Sequence, residues 1–94
     1  MAKRTAVLNA VAEPEFVTRL SQALRRRLRG SEVEHEHLRG TRYRFIVVWP
    51  RFDQMDHPER QQLVWNIAEE VLKGKELLDV SMILTLGRED LPDE

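Results

Sequence analysis

The chain predicts a two-layer α+β sandwich in the order α-β-β-α-β, with a three-stranded mixed sheet and two main helices on one face. Three observations predict it. A β-branched and aromatic run, Tyr43 to Trp49, stops at Pro50. A capped amphipathic helical pattern then ends near Gly74, and a second apolar strand runs from Val80 to Leu86. A parallel crossover is one of the few arrangements that buries the apolar faces of all three, and such crossovers are right-handed.

Taken in order, residues 1–12 admit a helix, a strand or an arm, and are set apart as an N-terminal arm. Residues 13–91 form one domain, and 92–94 an acidic tail. Pro14 suits a first helical turn, and Glu13 and Glu15 complement the positive helix end. Phe16, Val17, Leu20, Ala23, Leu24 and Leu28 recur at helical spacing, and Gly30 is the expected stop. Ser31 to Leu38 alternates, with Val33, His35 and His37 on one face and Glu32, Glu34 and Glu36 on the other, which is strand periodicity. Arg39-Gly40-Thr41 makes a tight connection, so a hairpin with strand 42–49 is predicted.

In that strand Tyr43, Phe45, Val47 and Trp49 share a face, opposite Arg42 and Arg44. A helical turn is expected around Phe52. Asp56 and Glu59 have capping-box spacing, and Pro58 falls in the first turn that follows. Leu63, Val64, Ile67, Ala68, Val71 and Leu72 then make a broad apolar face with Trp65 at its margin and Gly74 as C-cap. The last strand alternates Val80, Met82, Leu84 and Leu86 with Ser81, Ile83 and Thr85.

Composition narrows the function classes. Apolar residues make up 41% and charged residues 33%, which argues against disorder, and 94 residues suffice for one modest core. With no cysteine there is no disulfide framework, thiolate zinc site or cysteine nucleophile. Apolar runs fall far short of the ~20 residues of a membrane span. The first residues lack the apolar core of a signal peptide, so the cytoplasm is the expected compartment. Net charge is −1, yet Arg25, Arg26, Arg27 and Arg29 cluster, with Arg42, Arg44 and Arg51 following. A local basic patch, rather than a globally basic binder, is the implication.

Phe45-Ile-Val-Val-Trp-Pro-Arg-Phe52, followed by Arg60-Gln-Gln-Leu-Val-Trp-Asn-Ile-Ala-Glu-Glu-Val-Leu72, resembles the core of BolA-like proteins. That family has a valine-rich strand, a Phe in the next turn, and an Arg-His-Arg motif eight residues later; Phe52 and Arg60 keep the interval. Thr85, Glu89 and Asp90 resemble its Thr and downstream acidic residue. The resemblance covers roughly residues 16 to 91 and implies a topology shared with type II KH domains. It also implies an adaptor that binds a monothiol glutaredoxin and shares a [2Fe–2S] cluster with it. Gln61 and Gln62 replace the family's His and second Arg, and Asp79 stands where its cluster-ligating His opens the last strand. A carboxylate is a harder and poorer ligand for such a cluster. The second ligand position, in the loop after the first strand, has His35 and His37 as its nearest candidates.

Each candidate carries a plainer reading. His35, His37 and Asp79 are candidate metal ligands, or the histidines are half-buried sheet residues beside acidic neighbours. His57 beside Asp56 is a base and its orienter, or a helix start. Arg25 to Arg29 bind phosphate, or complement a helix end. Trp49 is an exposed partner-binding aromatic, or a core cap. No Gly-x-x-Gly loop of the RNA-binding KH type is present. Ser21, Ser31 and Ser81 lack a nucleophile motif, so no enzyme is predicted. Three functions remain: a BolA-like protein adaptor; a nucleic-acid module using Arg25, Arg26, Arg27, Arg29, Arg42, Arg44, Trp49 and Arg51; and a homo-oligomerising domain.

Overall fold

The computed structural model describes residues 13–92, so the arm assigned to 1–12 and most of the acidic tail lie outside it. Helix α1 (Glu15–Arg27) leads into strands β1 (Glu32–His37) and β2 (Tyr43–Val48). A 3₁₀ turn (Pro50–Gln54), helix α2 (His57–Val71), a short helix α3 (Lys75–Leu78), strand β3 (Val80–Leu86) and a second 3₁₀ turn (Arg88–Asp90) complete the fold. The sheet order is β1-β2-β3, with β1 antiparallel and β3 parallel to β2. This is the α+β architecture that the apolar patterns predict. Among the described residues no helix is long and apolar enough to cross a membrane.

The core lies between the helices and one face of the sheet. Val17, Leu20 and Leu24 of α1, Val64, Ile67 and Ala68 of α2, and Phe45 and Val47 of β2 are almost wholly buried. Burial of such side chains stabilises by about 1.5–3 kcal/mol each, so this layer dominates the energetics. At the start of α2, Asp56 and Glu59 form the expected capping box, each accepting from the other's backbone N–H at 2.9 and 3.0 Å. Asp56 and His57 thus belong to a helix start, and the base-and-orienter reading has no geometric support.

Three details depart from expectation. Gly30 takes a positive φ of 89°, but one residue later than a C′ glycine would, because Leu28 already closes α1 by donating its N–H to Leu24. Gly74 does not cap α2, which ends at Val71 with Leu72 as its cap; with φ of 48° it starts α3, a turn that sequence periodicity did not mark. The largest departure is in β3. Tyr43 pairs with Val80 but Arg44 pairs with Met82, so Ser81 is an extra residue in a bulge. The inserted residue inverts the alternation beyond it. Val80, Ile83 and Thr85 therefore face the helices, while Met82, Leu84 and Leu86 are turned to the open face of the sheet.

Candidate functional site

The parallel pairing of β2 and β3 brings their carboxyl ends together, and the first residues beyond each strand meet there. Helix α1 ends beside the same place, carrying its last arginines with it. The tie is Trp49, whose Nε1–H donates to the Arg29 carbonyl oxygen at 2.9 Å. Trp49 is only 8% exposed and packs edge-to-face on Phe52 at 5.3 Å between ring centres. The partner-binding role read for an exposed Trp49 is thereby corrected: indole N–H satisfaction and Phe52 draw the ring inward, and it pins a loop.

Around it Arg27, Arg29, Trp49 and Arg51 line a cleft of about 230 Å³. The Arg51 guanidinium lies 5.9 Å from the centre of the Trp49 ring, within cation–π reach. Arg27 pairs with Glu70. Arg29 and Arg51 make no salt bridge among the described residues. With Glu70 neutralising Arg27, the positive character of this cleft comes from Arg29 and Arg51, and it favours an anion.

The remaining arginines of the sequence patch do not join. Arg25 donates to the Val33 carbonyl at 2.8 Å, bracing α1 on β1. Arg26 is exposed but does not line the cleft. Arg42 and Arg44 lie at the opposite end of β2, where Arg44 pairs with Glu36 across the open face. A strand's length separates them from Arg51, so the eight residues read as one patch divide.

A second cleft of about 220 Å³ is lined by Gly30, Glu32, Val48, Pro50, Arg88 and Leu91. Residues Arg29 and Gly30, and the run Val48 to Arg51, are shared out between the two clefts, which therefore flank the same two chain segments. Sequence reading missed Glu32, Arg88 and Leu91 as site residues. The available signal was an arginine within three residues of the end of each parallel strand, Arg51 and Arg88.

The candidate metal ligands do not form a set. His35 Nε2 is hydrogen-bonded with Glu13 at 2.5 Å, and His37 Nε2 with the Gly40 carbonyl at 2.7 Å. Both rings pack on Tyr43, at 6.0 and 5.0 Å between centres. Burial raises the Tyr43 hydroxyl above its ordinary pKa, with the nearby Glu13 charge adding to it. Asp79 accepts from Thr41 Oγ1 at 2.8 Å on the far side of the Tyr43 strand. Among the described residues no three His, Asp or Glu side chains are placed to share a metal. His35, His37 and Asp79 thus each hold a hydrogen-bond partner of their own and do not gather on one point.

The residues that carried the family resemblance do converge, but as a structural lock. Arg60 donates to the carbonyls of Met55 (3.1 Å) and Thr85 (3.3 Å) and to Asp90 (2.8 Å), with its guanidinium 5.7 Å from the Phe52 ring centre. Gln61 donates to the Ile83 carbonyl at 2.9 Å and also reaches Thr85 Oγ1 at 3.4 Å, docking α2 on β3. The Asp90 carboxyl is held below its ordinary pKa by the Gly87 N–H and then by Arg60.

No protein-family model and no curated protein matches the chain. Among solved structures it is similar to BolA1 from Arabidopsis thaliana, at 18% identity and a TM-score of 0.64, over 82% of this chain and 96% of that one. The chain therefore has a BolA-like fold.

Proposed function

We propose that the chain is a non-enzymatic BolA-like binding module that holds the phosphate backbone of a nucleic acid at the carboxyl end of its parallel strand pair. One observation carries this reading: Arg29 and Arg51, without a salt-bridge partner among the described residues, meet in one cleft around Trp49, where Arg27 enters already paired with Glu70. Guanidinium groups suit phosphate through their rigid fork of donors. The net charge of −1 confines the attraction to this corner, so binding is modest and strongly dependent on ionic strength.

The test is fluorescence anisotropy of a labelled single-stranded RNA across a salt series. Two arginines without a carboxylate partner would give a slope of about −1.4 in log affinity against log salt, at roughly 0.7 per phosphate contact. The double variant Arg29→Gln/Arg51→Gln should lose binding at least tenfold while keeping the melting profile of the parent. A slope near zero, or an unaffected double variant, would discard the reading.

A second reading, an adaptor for a protein partner of the monothiol glutaredoxin type, is supported by the BolA-like fold. In this reading the contact is a direct protein interface. A mixed complex by light scattering, formed without iron, would favour it.

A further inference from the structure

Among the described residues β1 is an edge strand, and the sheet face turned away from the helices is divided by chemistry. The register sets Glu32, Glu34 and Glu36 of β1 beside Val48, Ile46 and Arg44 of β2. Leu86, Leu84 and Met82 of β3 continue the same three rows. An acidic edge therefore borders an apolar floor. Met82 is 43% exposed, and Leu91, 39% exposed, lines the cleft that carries this floor past Val48 and Pro50. Glu36 is paired with Arg44, while Glu32 and Glu34 make no salt bridge among the described residues.

Residues 1–12 match this face in composition. Ala6-Val7-Leu8-Asn9-Ala10-Val11-Ala12 is apolar except at Asn9, and Lys3 and Arg4 precede it. The twelve residues carry no acidic side chain, so they bring only positive charge to the glutamates. Their point of attachment fits as well. The described chain begins at Glu13, whose carboxylate lies 2.5 Å from His35 Nε2. His35 belongs to β1, so the segment departs from the acidic border of the open face. Strands lie about 4.8 Å apart, which puts β3 only about 10 Å beyond β1, and twelve residues reach up to ~40 Å. A second copy of the chain is a poorer occupant. Arg44, the cation of these rows, is already held by Glu36, so two such faces together would bury glutamates without counter-charge.

We propose that residues 6–12 are the ligand of this face, laid over Ile46, Val48, Leu84 and Leu86, with Lys3 and Arg4 answering the glutamates of β1. The contact covers the apolar residues that the bulge at Ser81 turns outward. The arginine cleft is built on Trp49, which is buried on the helix side, and stays free. Loss of this contact would therefore leave phosphate binding as it was.

The chain has no cysteine, so Asn9→Cys in the full chain takes a single nitroxide label. Paramagnetic broadening of amide signals then reads where the label sits. Broadening rates at Ile46 and Leu84 should exceed those at Glu69 and Glu70, exposed on α2, by about tenfold. Adding Leu8→Glu and Val11→Glu should cut the rates at Ile46 and Leu84 about threefold or more while the amide shifts of both helices stay in place. Equal broadening on the two sides, or a pattern that survives Leu8→Glu/Val11→Glu, overturns the proposal. A mixture of nitrogen-15 protein without nitroxide and nitroxide-bearing protein without nitrogen-15 should show no broadening. Broadening of Ile46 and Leu84 in that mixture would assign the face to the segment of a second copy and overturn the contact within one chain.

Discussion

Arg60 has a side chain only 15% exposed, and four neighbours account for that burial: two carbonyls, the Asp90 carboxylate and the Phe52 ring. A buried guanidinium is tolerated when its donors are satisfied, and its removal leaves those acceptors without partners. Arg60→Ala is expected to lower stability by about 2 kcal/mol, on the scale of hydrogen bonds to charged groups. Arg60→Lys should recover only part, because a single ammonium cannot span the same acceptors. Urea denaturation of the three proteins measures both. Gly87 is constrained by space. A Cβ there would come within 2.1 Å of Asp53 Oδ1, the carboxylate that accepts from the backbone N–H groups of Arg88 and Glu89 at 3.1 Å each. Its φ of −88° is open to any residue, so the clash alone sets the cost. Gly87→Ala should destabilise by about 1–3 kcal/mol, as overpacking does, and should disturb the turn that carries Arg88 into the second cleft. A fully stable Gly87→Ala protein would show that the turn moves aside freely.

Two small elements are held to the domain by carboxylates. Glu76 of α3 accepts from Arg19, whose guanidinium also reaches the Val71 carbonyl at 2.9 Å, and so ties α3 to α1 and the end of α2. Arg19 bonds Glu15 as well, and these two carboxylates raise its pKa. The Glu76 carboxyl is lowered, first by Arg19 and then by the Lys73 N–H. Asp90 is lowered in the same sense in the last 3₁₀ turn. A carboxyl whose folded pKa lies below its unfolded value of about 4 contributes stability above that value. The contribution is lost as pH falls through the folded pKa. Thermal melts should therefore fall on acidification below about pH 4. In Glu76→Gln and Asp90→Asn the fall should be shallower, because those proteins lack the proton-linked pairs. Equal acid sensitivity in all three would place the linkage elsewhere. Legibility varies at this scale. The capping box of α2 was readable because Asp56 and Glu59 act over one turn. Helix α3 was not, since four residues carry no periodicity and its anchor, Arg19, lies 57 residues away from Glu76.

At the scale of the whole fold, the described helices cover one face of the sheet and, among the described residues, leave the other open. Ile46, Val48, Leu84 and Leu86 stand there half-buried beside the glutamates of β1, with Met82 at 43% exposure. Which residues reach that face depends on the bulge at Ser81. Deleting Ser81 would restore the simple alternation and force either Met82, Leu84 and Leu86 inward or β3 out of register. The expected outcome is a large loss of cooperativity in urea unfolding; a parent-like transition would mean that β3 slides without cost. The candidate site is likewise a property of the whole molecule. Arg29, Arg51 and Arg88 come from the ends of three different elements, and the parallel crossover is what collects them. The arginine cluster was visible as composition, but which members converge was not. Arg25 and Arg44 are spent on Val33 and Glu36, contacts that depend on packing and strand register.

Local physics was enough for the sequence by itself to determine the order of the main elements, the antiparallel hairpin, the parallel return through α2 and the helix faces that form the core. Periodicity, caps and tight connections act over a few residues, and they leave few topologies open. Only the tertiary structure decided the inner face of β3, the burial of Trp49, the separation of His35 and His37 from Asp79, and the convergence of Arg27, Arg29 and Arg51. Each of these follows from contacts between residues far apart in the chain or from a one-residue register shift. Neither leaves a trace in the spacing of neighbouring residues.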